Sequence, residues 1–144
     1  MSLLLSLAFA AAAQAAPAAT PPAPPPPSVS MDVARARVEK VKTLFAVAAS
    51  GDAAALAKIA AAGATTDING AMGLLSTATI TGLKGCTRVK PYEVNETDVV
   101  LTLKCTGGLP TDTTAVVTFS ADGQIEKVGA NQSVYVPPAP AESR

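Results

Sequence analysis

From Asp32 the chain reads DVARARVEKVKTLFAVAAS, in which Val38, Val41, Phe45 and Ala48 recur at helical spacing. Leu44 widens that apolar stripe, while Glu39, Lys40 and Lys42 lie off it. A helix with one apolar stripe docks that stripe on a core, so the segment is an amphipathic helix with Ser30 or Asp32 as its N-cap. Gly51 supplies a left-handed stop, and Asp52 caps a second helix over AAALAKIAAA, which ends at Gly63 and faces the same core through Leu56, Ile59 and Ala60. Beyond Gly63 the texture changes: Thr, Val, Ile and Gly replace the Ala-rich helical pattern. ATTDI starts a sheet, NGAMGLLST fits either a short helix or a loop, and TATITGL alternates as strands do.

Two further runs lie between the cysteines, in CTRVKPYEVNETDVVLTLKC from Cys86 to Cys105, and form a hairpin turning near Asn95 and Glu96. A two-residue turn sets Tyr92 opposite Val99 and Cys86 opposite Cys105. A four-residue loop, Asn95 to Asp98, pairs Val94 with Val99 better but offsets the cysteines by two positions. Pro91, which cannot donate to a ladder, marks a bulge able to repair that offset. A last hairpin joins TTAVVTF to QIEKVGA through SADG. A three-residue loop, Ala121 to Gly123 with Gly123 at positive φ, sets Phe119 opposite Ile125, leaving Thr118 and Glu126 on the solvent face; a two-residue turn sets Phe119 opposite Glu126. The first pairing buries two apolar groups together and is preferred.

The two ends read differently from this middle. The first thirty residues carry no charge, although the chain of 144 residues has 11 basic and 11 acidic side chains. LLLSLAFAAAA, followed by Ala13-Gln14-Ala15, has the apolar core and the small-x-small cleavage pattern of an export signal over 1–15, without a Lys or Arg before the core. It falls short of the roughly 20 apolar residues of a permanent span, so no span is expected after cleavage; left uncleaved, it is an N-terminal anchor. APAATPPAPPPPSVS over 16–30 is too rich in proline for a helix or a sheet ladder and is an extended spacer. A second proline-rich stretch makes 137–144 a tail, which leaves one domain over 31–136 in a periplasmic or secreted protein. Balanced charge without a basic cluster argues against nucleic acid. The chain has no histidine, which removes the usual general base and the commonest metal ligand, so neither metal nor cofactor is expected.

The order of a long amphipathic helix, the junction AASGDAAAL, and strands closing on FSADGQIEKV resembles the nuclear transport factor 2-like family, over roughly residues 34–128. The resemblance implies an α+β fold shared with ketosteroid isomerase and polyketide cyclases: an N-terminal helical hairpin packed on a curved antiparallel sheet, a cystatin-like cone with an apolar cavity open at one end. Enzymes of that family place a carboxylate base and a hydroxyl or carboxylic acid donor inside the cavity. Asp67, Tyr92, Glu93 and Asp98 are the polar residues near strands that could enter it here, and none stands at a family motif, so no catalytic residue is carried over.

Tyr92 and Asp67 remain the candidates for catalysis. A phenol facing a cavity can stabilise a developing enolate, but Tyr92 also reads as a strand aromatic beside Val94 and Leu101. Asp67 and Asp98 both sit where turn chemistry selects Asp. Asn95-Glu96-Thr97 and Asn131-Gln132-Ser133 fit the glycosylation pattern and read as turn and loop chemistry. The two cysteines lack both the spacing of a redox pair and the number of ligands of a zinc site, and an exported pair becomes a disulfide, Cys86 to Cys105. The expected function is non-catalytic binding of a small apolar or amphipathic ligand, or of a cell-envelope partner. An isomerase- or cyclase-like enzyme acting on a small hydrophobic substrate is the second class, and a domain that pairs with its own copy as a homodimer is the third.

Overall fold

The computed structural model describes residues 29–133. The expected export signal, all but the end of the spacer, and the tail lie outside the described residues. Helix α1, Met31–Ser50, starts at Ser30, whose hydroxyl accepts from the Val33 amide, and stops at Gly51 in the left-handed conformation. Its buried face is Val41, Leu44, Val47 and Ala48, so the stripe centres on Leu44, and Phe45 is only partly covered. Asp52 caps α2, Ala53–Ile59, by accepting from the Ala55 amide.

The helix expected to run to Gly63 ends at Ile59. The alanines that favour helix enter β1, Ala60–Ile68, instead. There Ala60 pairs with Ile125 at the start of β7, Ile125–Gln132, the ladder resumes at Thr65, and tertiary pairing overrides local propensity. That pairing is parallel, which corrects the expectation of a wholly antiparallel sheet. The sheet has seven strands in the order β2-β1-β7-β6-β5-β3, with β4 also on β5. These are β2, Ala71–Leu74; β3, Cys86–Arg88; β4, Glu93–Val94; β5, Asp98–Cys105; and β6, Asp112–Phe119. β1 and β2 form a hairpin about Asn69 and Gly70, both at positive φ, and this Asn-Gly hairpin signal resolves NGAMGLLST as turn and strand.

TATITGL is not a strand. Ser76 and Thr79 exchange side-chain and backbone hydrogen bonds, and Thr81 bonds back to Thr77 and Ala78. These local partners displace the sheet ladder, and a 3₁₀ turn follows over Thr81–Gly85. Ile80 and Leu83, three apart, both point into the core.

At the last hairpin Phe119 pairs with Ile125, as the three-residue loop requires. The next pair is Thr118 with Lys127, so Glu126 occupies a bulge, exposed, and is not paired with Thr118. Gly123 has φ 80°, where a Cβ is strained, and its carbonyl accepts from Lys40 of α1. Gly123→Ala is therefore expected to destabilise the protein by roughly 1 to 2 kcal/mol, read as a lowered denaturation midpoint with an unchanged slope. Beside Gly123, the Ser120 hydroxyl and Asp122's own backbone amide hold the Asp122 carboxyl below its ordinary pKa.

Between the helices and the sheet the core is filled. Val41, Leu44, Leu83, Val99, Leu101, Leu103, Val117, Ile125 and Val128 are each at most 1% exposed. Arg37 ties α1 to the β4–β5 loop, its guanidinium donating to the carbonyls of Asn95 and Glu96 and lying 5.5 Å from the Phe119 ring centroid.

Candidate functional site

The β3–β4–β5 hairpin shapes the site. Its outer end pairs Val94 with Val99, and its inner end pairs Cys86 with Cys105. These two registers differ by two positions, so the four-residue loop is the one adopted and residues 89–92 absorb the offset around Pro91. The Asn95 side chain accepts from the amides of Thr97 and Asp98 and fixes that loop. Asn131 likewise serves structure, accepting from the Gly70 amide across the sheet. Cys86 and Cys105 are joined as a disulfide, with Cα atoms 4.0 Å apart, as closely paired antiparallel strands allow.

Across the irregularity at Pro91 the Arg88 guanidinium carbon lies 4.1 Å from the Tyr92 ring centroid. This stack forms one wall of an open groove of about 290 Å³ between α1 and the β3–β4 edge. Phe45 and Tyr92 provide apolar surface over the buried Leu101, and Lys42 and Arg88 bring two positive charges. Lys42 pairs with Glu39 at 2.9 Å on the exposed side of α1, and Arg88 donates to the Lys90 carbonyl at 2.6 Å. No carboxylate is among the groove's lining residues. The apolar cavity implied by the family resemblance is largely filled by core side chains, and this open groove is one of the depressions that remain on the helix side.

The two catalytic candidates are not brought together. Tyr92 packs against the core on the helix side of the sheet. In β1, Ala64 and Thr66 are buried on that side, so Asp67 points to the other. It lines a depression with Lys127, Val116 and Gly129, and its Oδ1 has no hydrogen-bond partner among the described residues. Asp98 also sits on the outer face, opposite Thr118, and Glu93 lies there opposite Val100. A carboxylate and a phenol separated by the sheet cannot act on one small substrate.

Arg88, Lys42 and Phe45 were not singled out by the sequence as a site. The Arg88/Tyr92 pair flanking a strand-breaking Pro91 is the one local trace of it. Among the described residues, no group of three or more Cys, Asp and Glu side chains converges to hold a metal ion, and no helix is long and apolar enough to cross a membrane.

Two helices covering one face of a mixed seven-stranded sheet is an arrangement found in known structures. A candidate isomerase of the SnoaL-like family from Agrobacterium tumefaciens superposes with a TM-score of 0.53 at 13% identity, over 69% of this chain and 99% of that one. An NTF2-like protein of unknown function from Burkholderia xenovorans gives 0.51 at 15% identity, over 72% and 89%. A further NTF2-like protein of unknown function, from Cytophaga hutchinsonii, gives 0.50 at 13% identity, over 65% and 87%.

The chain has the NTF2-like fold.

No family model matches the sequence, and neither does any curated protein. Within the NTF2-like fold the groove occupies the open side between the long helix and the sheet, where α1 contributes Lys42 and Phe45 and the sheet contributes Arg88, Tyr92 and Leu101.

Proposed function

We propose that this chain is an exported, non-catalytic NTF2-like domain that holds a small amphipathic molecule, apolar in its body and anionic at its head, in the groove between α1 and the β3–β4 edge. The observation that carries this reading is the lining itself: Phe45, Tyr92 and Leu101 beside Lys42 and Arg88, with no carboxylate among them. Apolar walls with a few convergent polar groups suit a ligand with one charged end. A disulfide accords with an oxidising compartment and so supports export. An isomerase- or cyclase-like enzyme is the second reading, favoured by the Tyr92 phenol at the groove; it needs a base that the lining does not supply.

Titration with an anilinonaphthalene sulfonate, an aromatic anion whose emission rises in apolar surroundings, tests the binding reading. Saturable binding is expected, weakened about tenfold by Arg88→Gln and by Tyr92→Ala, since a desolvated cation or ring contact contributes roughly 1 to 2 kcal/mol. Absence of binding, or wild-type affinity in both variants, contradicts it.

A further inference from the structure

Charge is balanced over the whole chain but not along it. From Ile68 to Tyr92 there is no acidic residue, and the three charges in that span, Lys84, Arg88 and Lys90, all fall within KGCTRVKP. This stretch forms one edge of the sheet: β3 is an outermost strand, with β5 on its inner side. Thr87 to Pro91 are all exposed, and the Val89 amide donates to the Thr102 carbonyl at 3.0 Å, which holds the segment along the sheet. Val89 is 50% exposed and lies between two cations. The other large apolar side chains exposed among the described residues, Met31, Val33, Met72 and Leu74, have no cation on either side in the chain. Lys84, Arg88 and Lys90 make no ion pair among the described residues, whereas Lys104, opposite Thr87, is matched by Asp112 and Lys42 by Glu39. Three cations against the neighbouring Glu93 leave an excess of two positive charges at this edge.

We infer that this edge docks on an anionic lipid bilayer, with Val89 passing between the headgroups and Lys84, Arg88 and Lys90 on the lipid phosphates around it. Charge complementarity selects the partner. A chain with no net charge is drawn to an anionic surface only through a local excess, and a bilayer presents anions over an area wide enough to meet three cations spread along one edge. The apolar residue points the same way. A valine flanked by cations gains on leaving water for the acyl boundary, while the long Lys and Arg stems let their charges stay at the phosphates. Tyr92, half-buried against the Arg88 guanidinium, has the amphipathic ring that suits headgroup depth. The contact is peripheral and reversible, since each cation near such a surface strengthens binding by only about fivefold. Val89 and Lys90 do not line the ligand groove, so docking and the groove reading stand or fall separately.

Partition of the full chain onto sedimented vesicles tests this, using phosphatidylcholine alone and phosphatidylcholine mixed with an equal part of phosphatidylglycerol. The first thirty residues carry no charged side chain, so their contribution is common to both vesicles and the ratio of the two partition coefficients isolates the basic edge. At about 0.1 M salt the wild type is expected to prefer the anionic vesicles at least about tenfold, and near 1 M salt, with a screening length of about 3 Å, the preference disappears. Lys90→Glu lowers the ratio at least about fivefold. Val89→Ser weakens partition onto the anionic vesicles about threefold. Lys58→Glu makes the same change of net charge on α2, which packs on β1 several strands away, and leaves the ratio within about twofold. All three side chains are exposed, so the variants are expected to unfold at the wild-type temperature. Equal partition of the wild type onto both vesicles overturns the inference. So does a Lys90→Glu or Val89→Ser variant that partitions as the wild type does, or a Lys58→Glu variant that loses as much as Lys90→Glu.

Discussion

Reduction of the Cys86–Cys105 bond lowers the melting temperature by about 10 to 20 °C, and the variant with both cysteines replaced by alanine shows the same loss without reductant. The bond closes a loop with a sequence separation of 19, which in the chain-entropy model contributes about 3 kcal/mol. That is a large share of the 5 to 15 kcal/mol typical of a domain. Local structure also makes the bond matter. β3 is three residues long and pairs with β5 through Cys86, Thr87 and Arg88 before Pro91 interrupts the ladder. Without the disulfide this edge has little else to hold it, and because Arg88 and Cys86 wall the groove, anion binding is expected to weaken along with stability. Calorimetry with and without reductant checks the first effect. Two thiols that react freely in the native, unreduced protein would refute the pairing.

Leu44→Ala is expected to cost about 3 to 4 kcal/mol, the largest loss for a single side chain in α1. Leu44 is fully buried at the centre of the helix's apolar face, and α1 packs on α2, the 3₁₀ turn and β5 together. Truncation removes contacts to several elements at once and leaves a cavity that rigid strands cannot collapse into. Phe45→Ala, one position along and only partly covered, should destabilise less while impairing the groove. A urea midpoint that falls for Leu44→Ala at constant slope checks this. Equal losses for the two variants would show that the helix docks differently.

The features legible in advance share a range of a few residues. Ser30 and Asp52 cap their helices because a side-chain oxygen reaches an amide three residues on, and Gly123 sets the last hairpin because few other residues tolerate its φ. The misreadings share a cause as well. TATITGL alternates, but Ser76, Thr79 and Thr81 supply their own backbone partners. AAALAKIAAA favours helix throughout, but Ala60 belongs to a strand whose partner is more than sixty residues away. The cysteine hairpin stood between two registers until residues 89–92 were seen to take up the difference.

The candidate site was less legible than the fold. Tyr92 lies at the groove, but Asp67 faces the other way, and sequence alone could not separate them, because which side of a strand is covered depends on where the helices land. Sequence by itself determined the stop at Gly51, the cap at Asp52, the last hairpin and the cysteine staple, all governed by local geometry or by two residues whose chemistry has one outcome in an oxidising compartment. Tertiary structure alone decided that the first and last strands pair in parallel, that the interior is filled, and that Lys42, Phe45, Arg88 and Tyr92 share a groove. Those outcomes depend on contacts between residues far apart in the chain, for which no turn fixes the register and no spacing records the face.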